Sequence, residues 1–242
     1  MKRKDGRQPG ELRPVSFTPG YVEYPEGSVL IAMGGTRVLC NATLEAGVPR
    51  WKQAQGLPGG WITAEYALLP RSTHTRTARE TRGLGGRTQE IRRLIGRSIR
   101  AGFDLEKLGA TTCIVDCDVL QADGGTRTAA ITGGYVATSL AIRRLVKGGK
   151  VDPDVFKSPL AAVSLGLFDG EPWLDLCYTE DVEADADVNV VMNAAGEWIE
   201  IQGTAEGAPF SRVSFLKLLD LAEAGIRQLL ALQQAVLAGI AE

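Results

Sequence analysis

Two stretches of this chain concentrate side chains suited to chemistry on phosphate. The first is a tetrapeptide, Gly-Gly-Thr-Arg, which occurs at Gly34–Arg37 and again at Gly124–Arg127. The copies sit in different contexts. The earlier one runs into Val38-Leu39-Cys40, a strand-forming run, and reads as an ordinary hairpin turn. The later one follows an alternating strand pattern and precedes a helical one, so it presents unpaired backbone N–H groups and the positive end of a helix dipole. Glycines there allow an anion to approach the backbone closely. Thr126 and Thr128 add hydroxyl donors, and Arg127 adds a forked cation. The plainer alternative is a glycine turn capped by a threonine. The second stretch is acidic, Glu180-Asp181-Val182-Glu183-Ala184-Asp185-Ala186-Asp187. If Ala184 to Asn189 is extended, Asp185, Asp187 and Asn189 share one face, while Ala186, Val188 and Val190 share the other. Clustered carboxylates repel unless a cation sits among them. Magnesium, bound by one or two carboxylates and by substrate phosphates, suits such a set. A solvated acidic loop is the competing interpretation.

Other chemistries find little support. His74 is the only histidine; it stands between threonines in a polar segment, where it could act as a base or simply be exposed. No Ser/His/Asp arrangement is evident. The four cysteines, Cys40, Cys113, Cys117 and Cys177, form no CxxC pair, which argues against zinc. Their apolar or β-forming neighbours suggest buried free thiols, and hence a reducing compartment. Aromatic residues make up only 6% of the chain, so a nucleic acid would be held mainly by charge and shape.

The net charge of −2 conceals an uneven distribution. Arg71 to Arg100 contains nine arginines and two acids; Ser158 to Ser211 contains eleven acids and no Lys or Arg. The basic segment suits a polyanion and the acidic segment suits a divalent metal, although solvated or mutually pairing faces would give the same pattern. No apolar run approaches the roughly 18–20 residues of a membrane span, and no apolar stretch follows the polar, basic residues 1–13. A membrane location or a secretory leader is therefore not expected, and a cytoplasmic protein is.

These residues need elements to hold them. Ser28–Met33 and Arg37–Leu44 read as a hairpin about Gly34-Gly35. Trp61–Leu69 is a third strand, ended by Pro70. Residues 71–86 lack apolar periodicity and read as a loop. A helix is expected from about Thr88, with Thr88 as N-cap, Glu90 in the first turn, and Ile91, Leu94, Ile95 and Ile99 on one face. Thr111–Leu120 alternates, with Cys113, Val115, Cys117 and Val119 on one side. A helix follows over Thr126–Lys147. Ala161–Phe168 and Pro172–Tyr178 form a hairpin about Asp169-Gly170. Ala186–Asn193 and Trp198–Gly203 pair near Gly196, and Phe215–Ile240 is a long amphipathic helix. Strand groups alternating with helices predict an α+β architecture with mixed or antiparallel sheets. With 44% hydrophobic residues and no linker, residues 1–242 are expected to form one domain.

Taken together, several of these segments resemble the ribonuclease PH family. They are Trp61–Tyr66 followed by Leu69–Arg76, Gly85–Ile91, Asp116–Thr128, Glu180-Asp181 with Asp187–Met192, and Gln202–Gly207. The likeness runs in order from about Arg7 to the C-terminal helix. It implies a ribonuclease PH-type fold of the ribosomal protein S5 domain 2-like kind. The implied activity is that of a phosphate-dependent 3′→5′ exoribonuclease, or tRNA nucleotidyltransferase, which trims tRNA precursors and releases nucleoside diphosphates. By the same resemblance, Arg87, Gly125, Thr126 and Arg127 would hold inorganic phosphate, beside Thr128 from the residue-level reading. Asp181 and Asp187 would be the catalytic, magnesium-associated pair. Arg71, Arg76 and Arg79 would serve subunit contacts or RNA approach, and the neighbouring Arg92 and Arg93 are placed with them. The assembly implied is a homohexamer, a trimer of dimers. One stretch departs from the family pattern: Arg79 to Gly85 is shorter and less basic, with Leu84 where Lys or Gln is common.

Two other functions fit parts of the pattern. A catalytically silent ring subunit would bind RNA as a scaffold, but such subunits typically lack the arginine and aspartate set kept here. A hydrolytic metal nuclease would leave the Gly-Thr-Arg helix start unexplained.

Overall fold

The helix Thr126–Lys147, α3, lies at the centre of the protein. The structure, a computed structural model, describes residues 3–207 and 209–240. Two sheets share one apolar core with α3 (Thr126–Lys147) between them. The first sheet has five strands, β1 (Val15–Pro19), β2 (Gly27–Met33), β3 (Thr36–Ala46), β4 (Trp61–Leu68) and β5 (Thr111–Gln121), in the order β1-β2-β3-β5-β4. Only β4 and β5 run parallel, and α2 (Gly86–Arg100) falls in the connection between them, as a parallel crossover requires. A five-residue helix, α1 (Arg50–Ala54), precedes β4.

The second half supplies β6 (Leu160–Phe168), β7 (Glu171–Leu174), α4 (Tyr178–Glu183), β8 (Ala186–Asn193), β9 (Trp198–Ala205) and α5 (Arg212–Gly239). Its four strands are antiparallel, in the order β7-β6-β8-β9. No helix among the described residues is long and apolar enough to cross a membrane.

Packing explains why α3 is the hub. Its residues are buried from Thr128 to Ser139 and again at Ala141 and Ile142, so it touches protein on nearly every side. Gly133 makes this possible: a Cβ there would lie 2.7 Å from Ile31 and 3.0 Å from Cys40 Sγ. Alternation on β5 behaves as expected. Cys113, Val115, Cys117 and Val119 are all buried, and burial pushes the Cys113 thiol up to about 12. Cys177 differs from the other three cysteines in being only half-buried.

Several expected boundaries move, each for a local reason. Helix α2 begins at Gly86, not near Thr88, and its N-cap is Gly85. Glu80 reaches back from the loop: its Oε1 accepts from Gly85 N (3.2 Å) and from the Thr88 hydroxyl (3.0 Å). A carboxylate at that end favours the dipole and starts the helix earlier. Glu90 then lies beyond the first turn. The strand expected over Pro172–Tyr178 stops at Leu174, and Tyr178 instead opens α4. Asp175, at φ 53°, makes the break. The acidic run is likewise split, with 178–183 helical and only the residues from Ala186 extended.

The N-terminal segment runs against the second half instead of trailing from the first. Arg3 is 4% exposed and donates to both oxygens of Glu180 at 2.8 Å, while its guanidinium lies over Trp173. Arg13, also 4% exposed, grips the fully buried Asp175 through Nε (3.0 Å) and Nη2 (2.7 Å). It donates as well to the carbonyl of Asp123. Burial alone would raise the Glu180 pKa, but the hydrogen bonds from Arg3 and the Cys177 N–H hold it below the usual carboxylate value.

Candidate active site

A cleft of about 440 Å³ opens at the start of α3. Its floor is the outer face of the second sheet. Ala186, Val188 and Val190 point into the core, so Asp187 and Asn189 must point out, and across the register Ser164 pairs with Asn189 and Gly166 with Asp187. One wall is the turn into α3, Gly124–Arg127, and another is α4 with Tyr178 and Asp181. The loop 73–77 and Arg87, at the start of α2, complete the lining with Tyr66 and Leu68 from the end of β4.

The turn into α3 is built for its conformation. Gly124 and Gly125 have φ of 71° and 63°, in the left-handed region where a Cβ is unfavourable. Gly125 is the N-cap and no side chain caps it, so the first N–H groups of the 22-residue α3 remain available. The earlier Gly-Gly-Thr-Arg copy braces this later one. Thr36 Oγ1 donates to Gly124 O (2.6 Å) and accepts from Asp123 N (2.9 Å), and Gln121 Nε2 donates to Gly35 O (2.6 Å). The hairpin turn thus has a structural role at the site that its sequence alone did not suggest.

The sequence-derived candidates divide clearly. Arg87, Gly125, Thr126, Arg127, Asp181 and Asp187 all line the cleft. Thr126 Oγ1 bonds the hydroxyl of Tyr66 (2.8 Å), which steadies it. Arg127 is held from behind by Glu90 (3.4 Å) and Gln202 (3.3 Å). Arg87 has no hydrogen-bond or ion-pair partner among the described residues. Thr128 departs from the expectation: it is buried, and its hydroxyl donates to Gly125 O at 2.9 Å, which turns it inward. Arg71, Arg76, Arg79 and Arg93 are exposed and do not line the cleft. Arg92 lies against β4, where it pairs with the Glu65 carboxylate.

Electrostatics separate the acids of the 180–187 run. Glu180 is committed to Arg3, Glu183 pairs with Lys4, and Asp185 accepts from Asp169 N. Asp181 and Asp187 make no side-chain hydrogen bond or ion pair among the described residues. Lost hydration raises the Asp181 pKa, and Asp187 raises it further; Arg87 and Arg127 oppose this. Two unpaired carboxylates that repel each other fit a divalent cation completed by phosphate oxygens and water. No group of three or more His, Cys, Asp or Glu side chains suited to a metal occurs among the described residues, so protein ligands alone would not enclose the ion.

Ser164 was not anticipated. It is 5% exposed and lines the cleft, and its hydroxyl has no hydrogen-bond partner among the described residues. A Cβ on Gly125 would lie 3.4 Å from that oxygen. A buried donor beside a helix start, lacking a protein partner, suits an anion. The signal was present in the sequence, as the single polar side chain of the apolar run Leu160–Phe168. His74 and Tyr178 were also missed as a pair. Both line the cleft, their ring centroids 6.1 Å apart and their planes inclined at 49°.

Comparison with known proteins places this architecture. Two family models match: 3′ exoribonuclease family, domain 1, over residues 11–143, and domain 2 over residues 158–225. The ribonuclease PH of Corynebacterium efficiens is 55% identical over 237 residues, covering 97% of this chain and 96% of that protein. The ribonuclease PH of Cyanothece sp. is 52% identical over 236 residues, 98% of each. Among solved structures the fold matches rice (Oryza sativa) Rrp46, with a TM-score of 0.79, 21% identity, and coverage of 98% of this chain and 100% of that one. It also matches the Archaeoglobus fulgidus exosome with RNA bound to the active site (TM-score 0.76, 22% identity, 94% and 91% covered). With relatives above 50% identity along nearly the whole chain and family models over both halves, the chain belongs to the ribonuclease PH family.

Proposed function

We propose that this cleft is where the chain, by family a phosphorolytic 3′→5′ exoribonuclease and tRNA nucleotidyltransferase, holds inorganic phosphate against the last phosphodiester of an RNA. One observation carries the assignment: a single cleft is lined both by the anion-suited turn Gly124–Arg127 and by the unpaired carboxylates Asp181 and Asp187.

The chemistry follows from that geometry. Phosphate sits at the start of α3, held by its N–H groups, by the Thr126 and Ser164 hydroxyls and by Arg127 and Arg87. One phosphate oxygen attacks the terminal phosphorus; the bond to the 3′ oxygen of the preceding nucleotide breaks, and the last nucleotide leaves as a diphosphate. The proton of the entering hydrogen phosphate balances the new 3′-hydroxyl. Phosphate is a weak nucleophile, so its fixed position matters most; positioning of this kind is worth roughly 7–11 kcal/mol at its upper range. The arginines also favour charge building on the transferring oxygens. Asp181 and Asp187 would hold magnesium, which when bound supplies positive charge to the phosphoryl oxygens.

The finer assignments rest on the same reading. The substrate is the 3′ end of tRNA precursors and other RNAs, and the location is the cytoplasm. The working unit is a homohexamer, in which the exposed Arg71, Arg76, Arg79 and Arg93, with Arg92, meet neighbouring subunits or incoming RNA. Residues 1–242 act as one domain, which the core common to both sheets supports. Keeping all five of Arg87, Thr126, Arg127, Asp181 and Asp187 in the cleft disfavours a silent scaffold.

The test is product analysis on an RNA with a single-stranded 3′ tail and magnesium, with and without phosphate. Nucleoside diphosphates only with phosphate are expected. Monophosphates in phosphate-free buffer would refute the roles of Thr126 and Arg127.

A further inference from the structure

We infer that His74 and Tyr178 form a stacking frame for the base of the RNA's 3′-terminal nucleotide. This rests on the phosphorolytic reading of the cleft and adds a base-binding subsite to it.

The two rings belong to different halves of the chain, yet both are tied to one turn. Tyr178 N donates to Asp123 Oδ1 at 3.1 Å. The loop carrying His74 is anchored through Ala122 N, which donates to Ser72 O at 2.8 Å. That loop is closed at its base by Thr77 N on Pro70 O (2.8 Å) and braced inside by Thr73 Oγ1 on Thr75 O (2.6 Å). Ala122 and Asp123 immediately precede the glycines of the phosphate turn. The rings are therefore held at a fixed offset from the reacting phosphate.

Exposure separates these rings from Tyr66, the other aromatic residue lining the cleft. Tyr178 is 49% exposed and its hydroxyl has no partner among the described residues, unlike Tyr66, whose hydroxyl is committed to Thr126. His74 is exposed, and its ring makes no hydrogen bond or ion pair among the described residues. An exposed ring at a substrate cleft gives up apolar surface to water, and a nucleobase recovers it by stacking. With centroids 6.1 Å apart and planes inclined at 49°, the rings lie against each other in the free protein, and a base stacks between them once one side chain rotates away. Stacking tolerates any base because every base offers a π-face. The frame thus grips the terminal nucleotide without reading its sequence, as an enzyme that removes successive, differing nucleotides requires.

The experiment compares two RNAs identical except that one carries an abasic 3′-terminal residue. Initial rates are measured at saturating phosphate and magnesium, with wild type, Tyr178→Leu and Tyr178→Phe. For wild type, the abasic end should raise the KM for RNA roughly 5- to 100-fold, the range expected of one lost base stack, and leave the KM for phosphate unchanged. Tyr178→Leu should raise the KM for the intact RNA and no longer distinguish the two ends. Tyr178→Phe, which keeps the ring, should recover the distinction. Wild type that treats both ends alike, while still releasing diphosphates only with phosphate, overturns the frame and leaves phosphorolysis intact. Product release from the intact RNA without phosphate would instead overturn the reading beneath it, and the frame with it.

Discussion

Replacing Ser164 by alanine should make the free protein more stable and its grip on phosphate weaker. The hydroxyl is buried without a partner among the described residues. Leaving such a group unsatisfied costs about 1–3 kcal/mol. Ser164→Ala removes the group and leaves a void of a single atom, so a net gain of about 1 kcal/mol is expected. For a chain of this length that corresponds to a rise in Tm of roughly 2–4 °C. Phosphate reverses the balance, because the hydroxyl then donates to a charged oxygen. A hydrogen bond to a charged group is worth about 1.5–3 kcal/mol, or roughly a 10- to 150-fold rise in the KM for phosphate. The KM for RNA should stay near its wild-type value. Thermal unfolding in phosphate-free buffer gives the first quantity, and phosphate titration at saturating RNA gives the second. A variant with lower Tm and unchanged phosphate KM would refute the assignment, since Ser164 would then be an ordinary packing residue.

Four further outcomes follow from the site. Asp187→Asn should abolish turnover with little change in Tm, because the Asp187 side chain makes no hydrogen bond or ion pair among the described residues; a variant that still turns over removes it from the mechanism. Arg127→Ala should raise the KM for phosphate far more than that for RNA, with Glu90 and Gln202 left bonded to each other at 3.3 Å; equal losses would mean only a general electrostatic role. Arg13→Met should cost about 3 kcal/mol by leaving the buried Asp175 with only the backbone N–H of residue 13 and Arg7 at 3.9 Å, which urea unfolding would measure; a loss below about 1 kcal/mol would contradict the pairing. Glu180 gives a pH signature. Its folded pKa is depressed below the ordinary 4.5, so the stability it contributes is present above that value and is lost as pH falls through the folded one. Wild type and Glu180→Gln should therefore converge in Tm as the solution is acidified, and a constant difference down to strongly acid pH would exclude the linkage.

Most of the cleft was legible in the sequence because its parts are local signals. A glycine pair between an alternating strand and a helix, and an Asp at odd register beside core valines, each declare themselves within a few residues. Arg87 and the two aspartates came from the family likeness, and the structure brings them to the same cleft. What escaped was everything defined by long-range contact. Thr36 supports a turn 88 residues away. Ser164 gains meaning only because Gly125 lies beside its hydroxyl, and His74 becomes more than an isolated polar residue only through Tyr178. Thr128 failed for the opposite reason: it has the right type and spacing, but its own helix turns it inward. The polar N-terminus hid two of the most buried charges in the protein, since composition cannot say which arginine will find a carboxylate.

The N-terminal arginines also set an order of events. Arg3 and Arg13 are made before their partners Glu180 and Asp175, which follow 177 and 162 positions later. At about 5–20 residues per second, that is a wait of roughly 8 to 35 seconds. Until then the buried guanidinium groups lack their carboxylates, and the helix bearing Asp181 does not yet exist. A growing chain therefore carries half of a phosphate site and no carboxylates to complete it. Activity waits for the segment bearing Asp181 and Asp187, so an enzyme that consumes RNA is assembled without a working cleft until that segment has been made.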